Sequence, residues 1–313
     1  MKYFFIVIVS LSLALPDQPA SAATAYAGEF LAVGAGARPL ALGNSFVALV
    51  DDATAGYWNA AALSRLDGRQ LHIMHGERFS GLVNQDFVAL AVPSFSLFDG
   101  ASVSLLRLGV DDIQFTTLSD PTRPLGSDNR PVAAGTASSA DYALYLSGSR
   151  KVIESLDVGA SLKGIYRSVD THSAYGFGLD VAVLYHVRPG VDLAANIRDV
   201  TTTPIVWDTD TTDSIRPSVL LGIAVARPIA GGRANLALGS RSGGDASDAS
   251  GAEPVAAGIE YVRDKVALRA GLEESRQTFG IGLQPRAGLQ LDVAYLQHDE
   301  LEATYFLSAT FGF

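Results

Sequence analysis

The feature that most constrains this chain is an alternation of apolar with polar or small residues at period two, repeated in runs of about 8 to 14 residues down to the C-terminus. Within 289–295 (LQLDVAY), Leu289, Leu291, Val293 and Tyr295 share one face of a strand, while Gln290, Asp292 and Ala294 share the other. In 157–167, Val158, Ala160, Leu162 and Tyr166 fall on one side and Asp157, Ser161, Lys163 and Arg167 on the other. The pattern returns at 178–185, 191–198, 233–239, 255–261, 265–273 and 303–313. One face is aliphatic and aromatic; the other is Gly, Ala, Ser, Asn and charge. Beyond the first residues, no window of about 18 to 20 residues is continuously apolar, which excludes a helical membrane protein.

Counting such runs places strands near 71–79, 84–93, 101–110, 141–150, 155–168, 174–187, 190–198, 217–227, 232–240, 254–263, 265–273, 276–285, 287–297 and 303–313. An even number of strands about 10 residues long is what a closed transmembrane barrel requires, because lipid cannot satisfy an open sheet edge. The expected fold is therefore all-β, a transmembrane antiparallel β-barrel of about 14 strands in contact with outer-membrane lipid. Connection lengths support it. If the last strand ends in the periplasm, the connections facing that side are short: PSFSLFDG, KVIES, VRPG, PIAG, VRDK and PRAG. The three long ones, 111–140, 199–216 and 241–253, all face outward. A soluble β-sandwich also alternates, but it has no need to sort loop length by parity.

Tyr305, Leu307, Ala309, Phe311 and Phe313 share one face of the last strand, and the sequence stops on Phe313. This ending resembles the C-terminal signal read by the outer-membrane barrel assembly machinery, which implies that Phe311 and Phe313 are an assembly signal and that machinery a partner.

The first residues supply a compartment. Met1-Lys2, the apolar run 3–15 and Ala20-Ser21-Ala22 have the order of a secretory signal peptide, expected to span 1–22. Its removal takes Lys2 and Asp17, leaving 22 basic against 32 acidic residues and a net charge still at −10. That charge argues against a nucleic-acid partner, which needs a basic patch. The absence of Cys excludes a lipoprotein anchor, disulfides and thiolate metal sites. With 48% hydrophobic and 18% charged residues, the chain is too apolar to be disordered.

Residues 28–66 read GEFLAVGAGARPLALGNSFVALVDDATAGYWNAAALSRL. The Gly-Ala-rich stretch ending in Arg38 and Gly43, then Ala48, Asp51, Asp52, Ala53 and Ala55, then Tyr57, Trp58, Asn59, Ala61 and Leu63 resembles the N-terminal region of the PorV/PorQ family. That family is a branch of the FadL-like outer-membrane barrels. Ala60 stands where the family usually has Pro, which removes a fixed φ from the turn, and Ala62 where it often has Gly. The resemblance implies a plug or hatch, here 23–68, folded into the lumen of a barrel spanning 69–313. Arg38, Gly43, Asp51, Asp52, Trp58 and Asn59 carry the plug motif. The lumen face carries both signs, Asp157, Asp180, Asp192, Glu260, Glu273 and Asp292 against Lys163, Arg167, Arg198, Arg233 and Arg269, so charges can pair across it and with Arg38, Asp51 and Asp52.

Catalytic chemistry is sparse, and no enzymatic role, cofactor or metal is expected. His72 and His75, three apart on a strand, point to opposite faces and cannot share a metal. His172, His186 and His298 are scattered, and no nucleophile elbow, P-loop or HExxH motif occurs. Gly34-Ala35-Gly36 lies outside any βαβ unit and is not a dinucleotide fingerprint. Asp208, Asp210 and Asp213 could gather Ca²⁺, but the Gly and distal Glu of an EF-hand loop are missing.

Two roles at the outer membrane compete. The PorV/PorQ resemblance implies a non-enzymatic interaction or shuttle component of type IX-like secretion, with secreted proteins or secretion components as partners. Its alternative is FadL-like uptake of a hydrophobic small molecule. The outer loops 111–140 and 201–216 are the expected partner-binding surface, with Ile113, Phe115, Ile205, Val206 and Trp207 as exposed apolar contacts.

Overall fold

The computed structural model describes residues 27–244, 255–298 and 302–313; the expected signal segment and most of the connection 241–253 lie outside them. Sixteen strands follow an N-terminal segment of short helical turns: β1 (Gln70–Arg78), β2 (Val83–Phe95), β3 (Phe98–Leu118), β4 (Pro131–Ile153), β5 (Leu156–Val169), β6 (His172–Arg188), β7 (Val191–Arg198), β8 (Thr203–Trp207), β9 (Thr212–Ile215), β10 (Ser218–Ile229), β11 (Gly232–Gly243), β12 (Val255–Arg263), β13 (Val266–Glu273), β14 (Arg276–Arg286), β15 (Leu289–Leu296) and β16 (Thr304–Gly312). All except β8 and β9 form one antiparallel ring of 14 strands, in which β7 pairs with β10 and β16 returns to β1. The closing seam runs from Gln70↔Gly312 to Glu77↔Tyr305. Each of the fourteen runs read from the alternation is a barrel strand. No helix among the described residues is long and apolar enough to cross a membrane.

One end of the barrel carries six two-residue turns, at 96–97, 154–155, 189–190, 230–231, 264–265 and 287–288. Ala230 and Gly231 are both at positive φ, 51° and 76°, the twist that matches antiparallel strands. The opposite, loop end carries the long connections, and two of them are more ordered than the sequence suggests. The connection 111–140 is mostly a β-ribbon, because β3 and β4 stay paired as far as Leu118↔Pro131. Register shifts at 110–113 and 115–116 absorb the mismatch. The connection 199–216 holds the β8–β9 hairpin, and β8 pairs with the loop end of β6 through Ala174↔Trp207 and Gly176↔Ile205.

The outer wall is apolar between two aromatic rows. Toward the loop end, Tyr142, Tyr166 and Tyr175 lie on neighbouring strands with ring centroids 6.0 and 5.0 Å apart, and Tyr295 and Tyr305 stand 5.4 Å apart. Toward the turn end lie Phe95, Phe98, Tyr185, Phe311 and Phe313. From Tyr305 to Phe313 on a strand tilted by ~40° at ~3.3 Å per residue, the rows are about 20 Å apart along the axis, close to the apolar band of a membrane barrel.

The N-terminal segment 27–66 lies inside this ring. It consists of a 3-10 turn (Glu29–Ala32), α1 (Ala37–Ala41), α2 (Ala55–Trp58) and a second 3-10 turn (Ala60–Arg65). Helices this short are unstable alone. Their burial against the wall orders them: Leu40, Leu42, Phe46, Tyr57 and Leu63 are all almost fully buried.

Because the chain has no Cys, closure can be tested directly. In an Ile73→Cys/Ala309→Cys variant, the two positions face each other across the seam. Oxidation should give an intrachain disulfide at high yield, read as a thiol-sensitive mobility shift, whereas Ile73→Cys/Val183→Cys should give none.

Candidate functional site

The interior is a site built from two partners, the 27–66 segment and the inward faces of the strands. Five inward glycines on consecutive strands, Gly222, Gly239, Gly258, Gly271 and Gly280, form a seat on which backbone meets backbone. A Cβ on Gly271 would lie 2.3 Å from the Gly43 nitrogen, and one on Gly258 2.7 Å from the Leu42 oxygen. On the opposite wall, Gly100 and Gly159 play the same part toward Leu63 and Ala61. Gly43 itself sits at φ 61°, tucked against Leu272.

Short helices leave their end carbonyls unpaired, and the strands supply the missing donors. Arg78 donates to Val33 O at 2.9 Å and Gln85 to Gly34 O at 2.6 Å. Asn196 donates to Trp58 O at 2.9 Å and Thr278 to Ala41 O at 3.0 Å. Arg198 donates to Leu31 O and Tyr57 O, both at 3.1 Å, with its guanidinium 4.6 Å from the Tyr57 ring centroid. Apart from Arg198, read in the sequence as a lumen charge, none of these donors stood out as a partner of 27–66. Their only signal was an inward parity on their strands.

The residues of the Arg38–Leu63 motif come together here. Trp58 donates its indole N–H to Ala35 O at 2.7 Å and packs edge-on against Tyr57 at 5.1 Å. Asn59 accepts from Ala61 N at 3.0 Å and donates to Val47 O at 3.0 Å and Val183 O at 3.3 Å. With these three bonds Asn59 pins the turn that lacks the usual proline. Asp52 caps the next turn by accepting from Thr54 N at 2.9 Å. Arg38 bonds Asp51 at 2.5 Å and reaches Glu260 of β12 with two nitrogens at 3.0 Å each. Burial works against the Arg38 charge, but Asp51, Glu260 and Asp52 outweigh it and hold its pKa well above the usual guanidinium value. Glu260 also accepts from Arg269 at 2.6 Å and from Asn235 at 2.8 Å, so it is the hub that ties the inner segment to the wall.

The other lumen charges pair as their faces allow. Lys163, wholly buried, meets Asp180 at 3.1 Å and Asp199 at 2.8 Å. Arg167 meets Asp141 at 2.7 Å. Toward the turn end, His186 is held between Asp192 at 2.7 Å and Asp157 at 2.9 Å, with Arg65 of the inner segment on Asp192 at 2.5 Å. This cluster borders an open recess of about 680 Å³ that also takes in Arg188, Arg233 and Asp51. At the loop end, Tyr57, Trp58, Val47, Leu220 and the buried Arg198 wall a cavity of about 70 Å³, with Arg241 and Glu273 at its rim. The aromatic and backbone packing of 27–66 separates the two.

His72 is buried and inward while His75 is outward on Asp86 at 2.7 Å, so the two do point apart. Asp208 accepts from Ser173 N at 2.9 Å and Asp213 from Trp207 Nε1 at 2.8 Å, which spends both on the β8–β9 hairpin. Among the described residues no group of three His, Asp or Glu is placed to hold a metal. Of the expected outer contacts, Ile113, Phe115 and Val206 are exposed. Trp207 is half-buried, its ring 5.9 Å from the Arg167 guanidinium. Ile205 is the correction: it is fully buried, because pairing of β8 with β6 turns it inward over Gly176. Phe311 and Phe313 face outward at the turn end.

No family model matches the chain, and no curated protein matches it in sequence. Among solved structures it is similar to the P. putida toluene transporter TodX, with a TM-score of 0.66 at 12% identity over 90% of this chain and 99% of that one. It is similar also to the monoaromatic hydrocarbon channel CymD (TM-score 0.55, 12% identity, 90% and 98% covered) and to a Pseudomonas aeruginosa FadL homologue (0.53, 12%, 86% and 96%). At such identities the likeness shows the fold alone, a closed antiparallel barrel.

The glycine seat makes a testable distinction. Gly271→Val, which drives a side chain into the Gly43 backbone, should destabilise the inner segment by about 1–3 kcal/mol or more and expose 27–66 to protease. Gly164→Ala, whose Cβ would meet only Phe177 at 3.9 Å, should leave the protease pattern unchanged.

Proposed function

We propose that the protein is an outer-membrane barrel that admits a hydrophobic small molecule, with segment 23–68 as the hatch of a barrel spanning 69–313 after export by the signal 1–22. The loop end then faces outside and the turn end the periplasm, with the two aromatic rows at the two interfaces. The role is transport, not catalysis. The observation that carries the reading is the outer cavity floored by Tyr57 and Trp58 of the hatch itself. An apolar body suits that floor, while Arg241 and Glu273 at the rim keep contact with water and the buried Arg198 stays bonded to Leu31 O and Tyr57 O. The shared fold of the toluene transporter and the hydrocarbon channel supports the same ligand class.

At about 70 Å³ the cavity is under half the ~150 Å³ that admits benzene in an engineered protein core, so entry of such a molecule requires the hatch to shift. The resisting interaction is the Arg38–Glu260 pair. Breaking one side of a buried pair costs about 3–5 kcal/mol. A ligand that binds only the shifted state offsets about 4 kcal/mol at ~1,000 times its Kd, so ligand binding alone can drive opening.

The expected outcome for Arg38→Met, which leaves Glu260 with Arg269 and Asn235, is faster uptake of a monoaromatic hydrocarbon in a deletion strain carrying the variant. The wild-type gene should restore the slower, saturable uptake, and uptake identical with and without the gene would remove the transport reading.

A second reading has its own observation. The β3–β4 ribbon extends about 35 Å past the Arg107–Tyr142 level, at ~3.3 Å per residue, with Ile113 and Phe115 exposed. A free two-stranded ribbon is marginal in water, which favours a covering partner. With the PorV/PorQ resemblance of the hatch motif, that partner is a secreted protein or a secretion component. Excising the paired ribbon 113–137 should then abolish co-purification of such proteins from outer membranes while leaving hydrocarbon uptake intact; recovery of the barrel alone from the wild type would count against it.

A further inference from the structure

Among the described residues, the outer wall dips at the turn end of β2–β5. Along a cross-strand row at the turn end, the outward side chains shrink to Val92, Ala101, Gly148 and Ala160, which are successive partners on β2, β3, β4 and β5. The row above is bulky, with Leu90, Val103, Leu146 and Leu162. Below, the turn at 94–97, with Ser94 and Ser96 at φ 53° and 56°, tips Phe95 and Phe98 onto the outer surface. Phe98 lies so close to Gly148 that a Cβ there would be 2.7 Å from its ring. The result is a trough of about 760 Å³, with small residues as its floor, leucine and valine as its roof and phenylalanine as its sill. That volume is within the roughly 300–1,000 Å³ of small-molecule sites.

One end of the trough is closed by Arg69 and Phe313, tied together where Phe313 N donates to Arg69 O at 3.0 Å. Arg69 carries the one charged side chain in the described lining, and no ion pair or hydrogen bond among the described residues engages its guanidinium. An unpaired cation at the end of an apolar trough matches an amphiphile with an anionic head. The trough is also separate from the lumen, because the pairing of β2 through β5 is continuous behind it.

We propose that this trough binds one anionic phospholipid of the periplasmic leaflet, an acyl chain lying on the Ala101–Gly148–Ala160 floor and the phosphate on Arg69. The site rests on the membrane reading above, since the turn end must lie in that leaflet. It is distinct from the transport path and would hold a lipid through purification.

The test uses the full chain in nanodiscs of phosphatidylethanolamine with one-fifth phosphatidylglycerol, followed by native mass spectrometry in detergent and preceded by flotation with vesicles of the same lipids. Wild type should retain one lipid, predominantly phosphatidylglycerol. Ala160→Leu fills the floor with a side chain of the kind already facing lipid around it, and should abolish retention of either lipid. Arg69→Gln should lower the preference for phosphatidylglycerol about five-fold, the effect of one basic residue at a membrane surface, and keeps the test standing if Ala160→Leu does not fold. Arg263→Gln, a basic residue at the turn end of β12 away from the trough, should behave as wild type. Flotation with equal lipid retention in wild type, Ala160→Leu and Arg69→Gln overturns the site alone and leaves annular lipid. Failure of the wild type to float overturns the membrane reading and the site together.

Discussion

The seam between β1 and β16 is the interaction on which the rest of this molecule depends. In lipid every backbone N–H and C=O must find a partner within the protein, and an open edge at either strand would leave a row of them unpaired. Closure fixes everything else by geometry. A ring of strands has an inside and an outside, so the period-two pattern becomes a lipid face and a lumen face. A lumen of 14 strands is too wide for wall side chains alone to fill. The 27–66 segment fills it, and the wall's share of the packing is accordingly small: glycine, alanine and serine where backbone approaches, and long donors where carbonyls end.

The division of labour between apolar packing and charge follows from the same geometry. Tyr57 packs against the wall aromatics Phe87 and Tyr145 at centroid distances of 6.1 and 5.9 Å, and within the segment Trp58 packs against Tyr57 at 5.1 Å and Phe46 at 6.1 Å. That packing gives the inner segment adhesion without direction. Direction comes from the charged contacts, Arg38 on Glu260 toward β12 and Arg65 on Asp192 toward β7. They are anchored three strands apart in the ring, so together they set the rotation of the segment about the barrel axis. Neither pair faces lipid, which is why a chain with so few charged residues keeps so many of them in its lumen.

The barrel was legible in the sequence because each strand is covered differently on its two faces. All fourteen runs of alternation have a lipid side and a lumen side, and the short connections betray themselves through Gly, Pro and Asp. Legibility failed where that asymmetry is absent. In the ribbon 113–118 and 131–137 both faces meet water, so IQFTTL and PVAAGTA carry no alternation long enough to mark a strand, and cross-strand pairing makes them strands. Ile205 sits in a five-residue run too short to set its own parity, and β6 decides which way it points. Within the lumen, the charged residues and the Arg38–Leu63 motif were visible as such. Glu260 as the partner of Arg38, and the glycines as a seat, depend on which strands come opposite, and that is a property of register rather than of local sequence.

The position of the inner segment in the chain has a consequence for assembly. Residues 27–66 precede every strand that surrounds them, yet they hold their shape only when all fourteen strands are in place. During biogenesis they therefore wait, with Tyr57, Trp58 and Phe46 uncovered, until the last-made strand meets the first. Contacts such as Ala37 with Ser308, 271 residues apart, can form only at that moment. Such sequence distances make a slow, all-or-none final step, and leave 27–66 as the segment that most needs a chaperone's cover before the ring shuts.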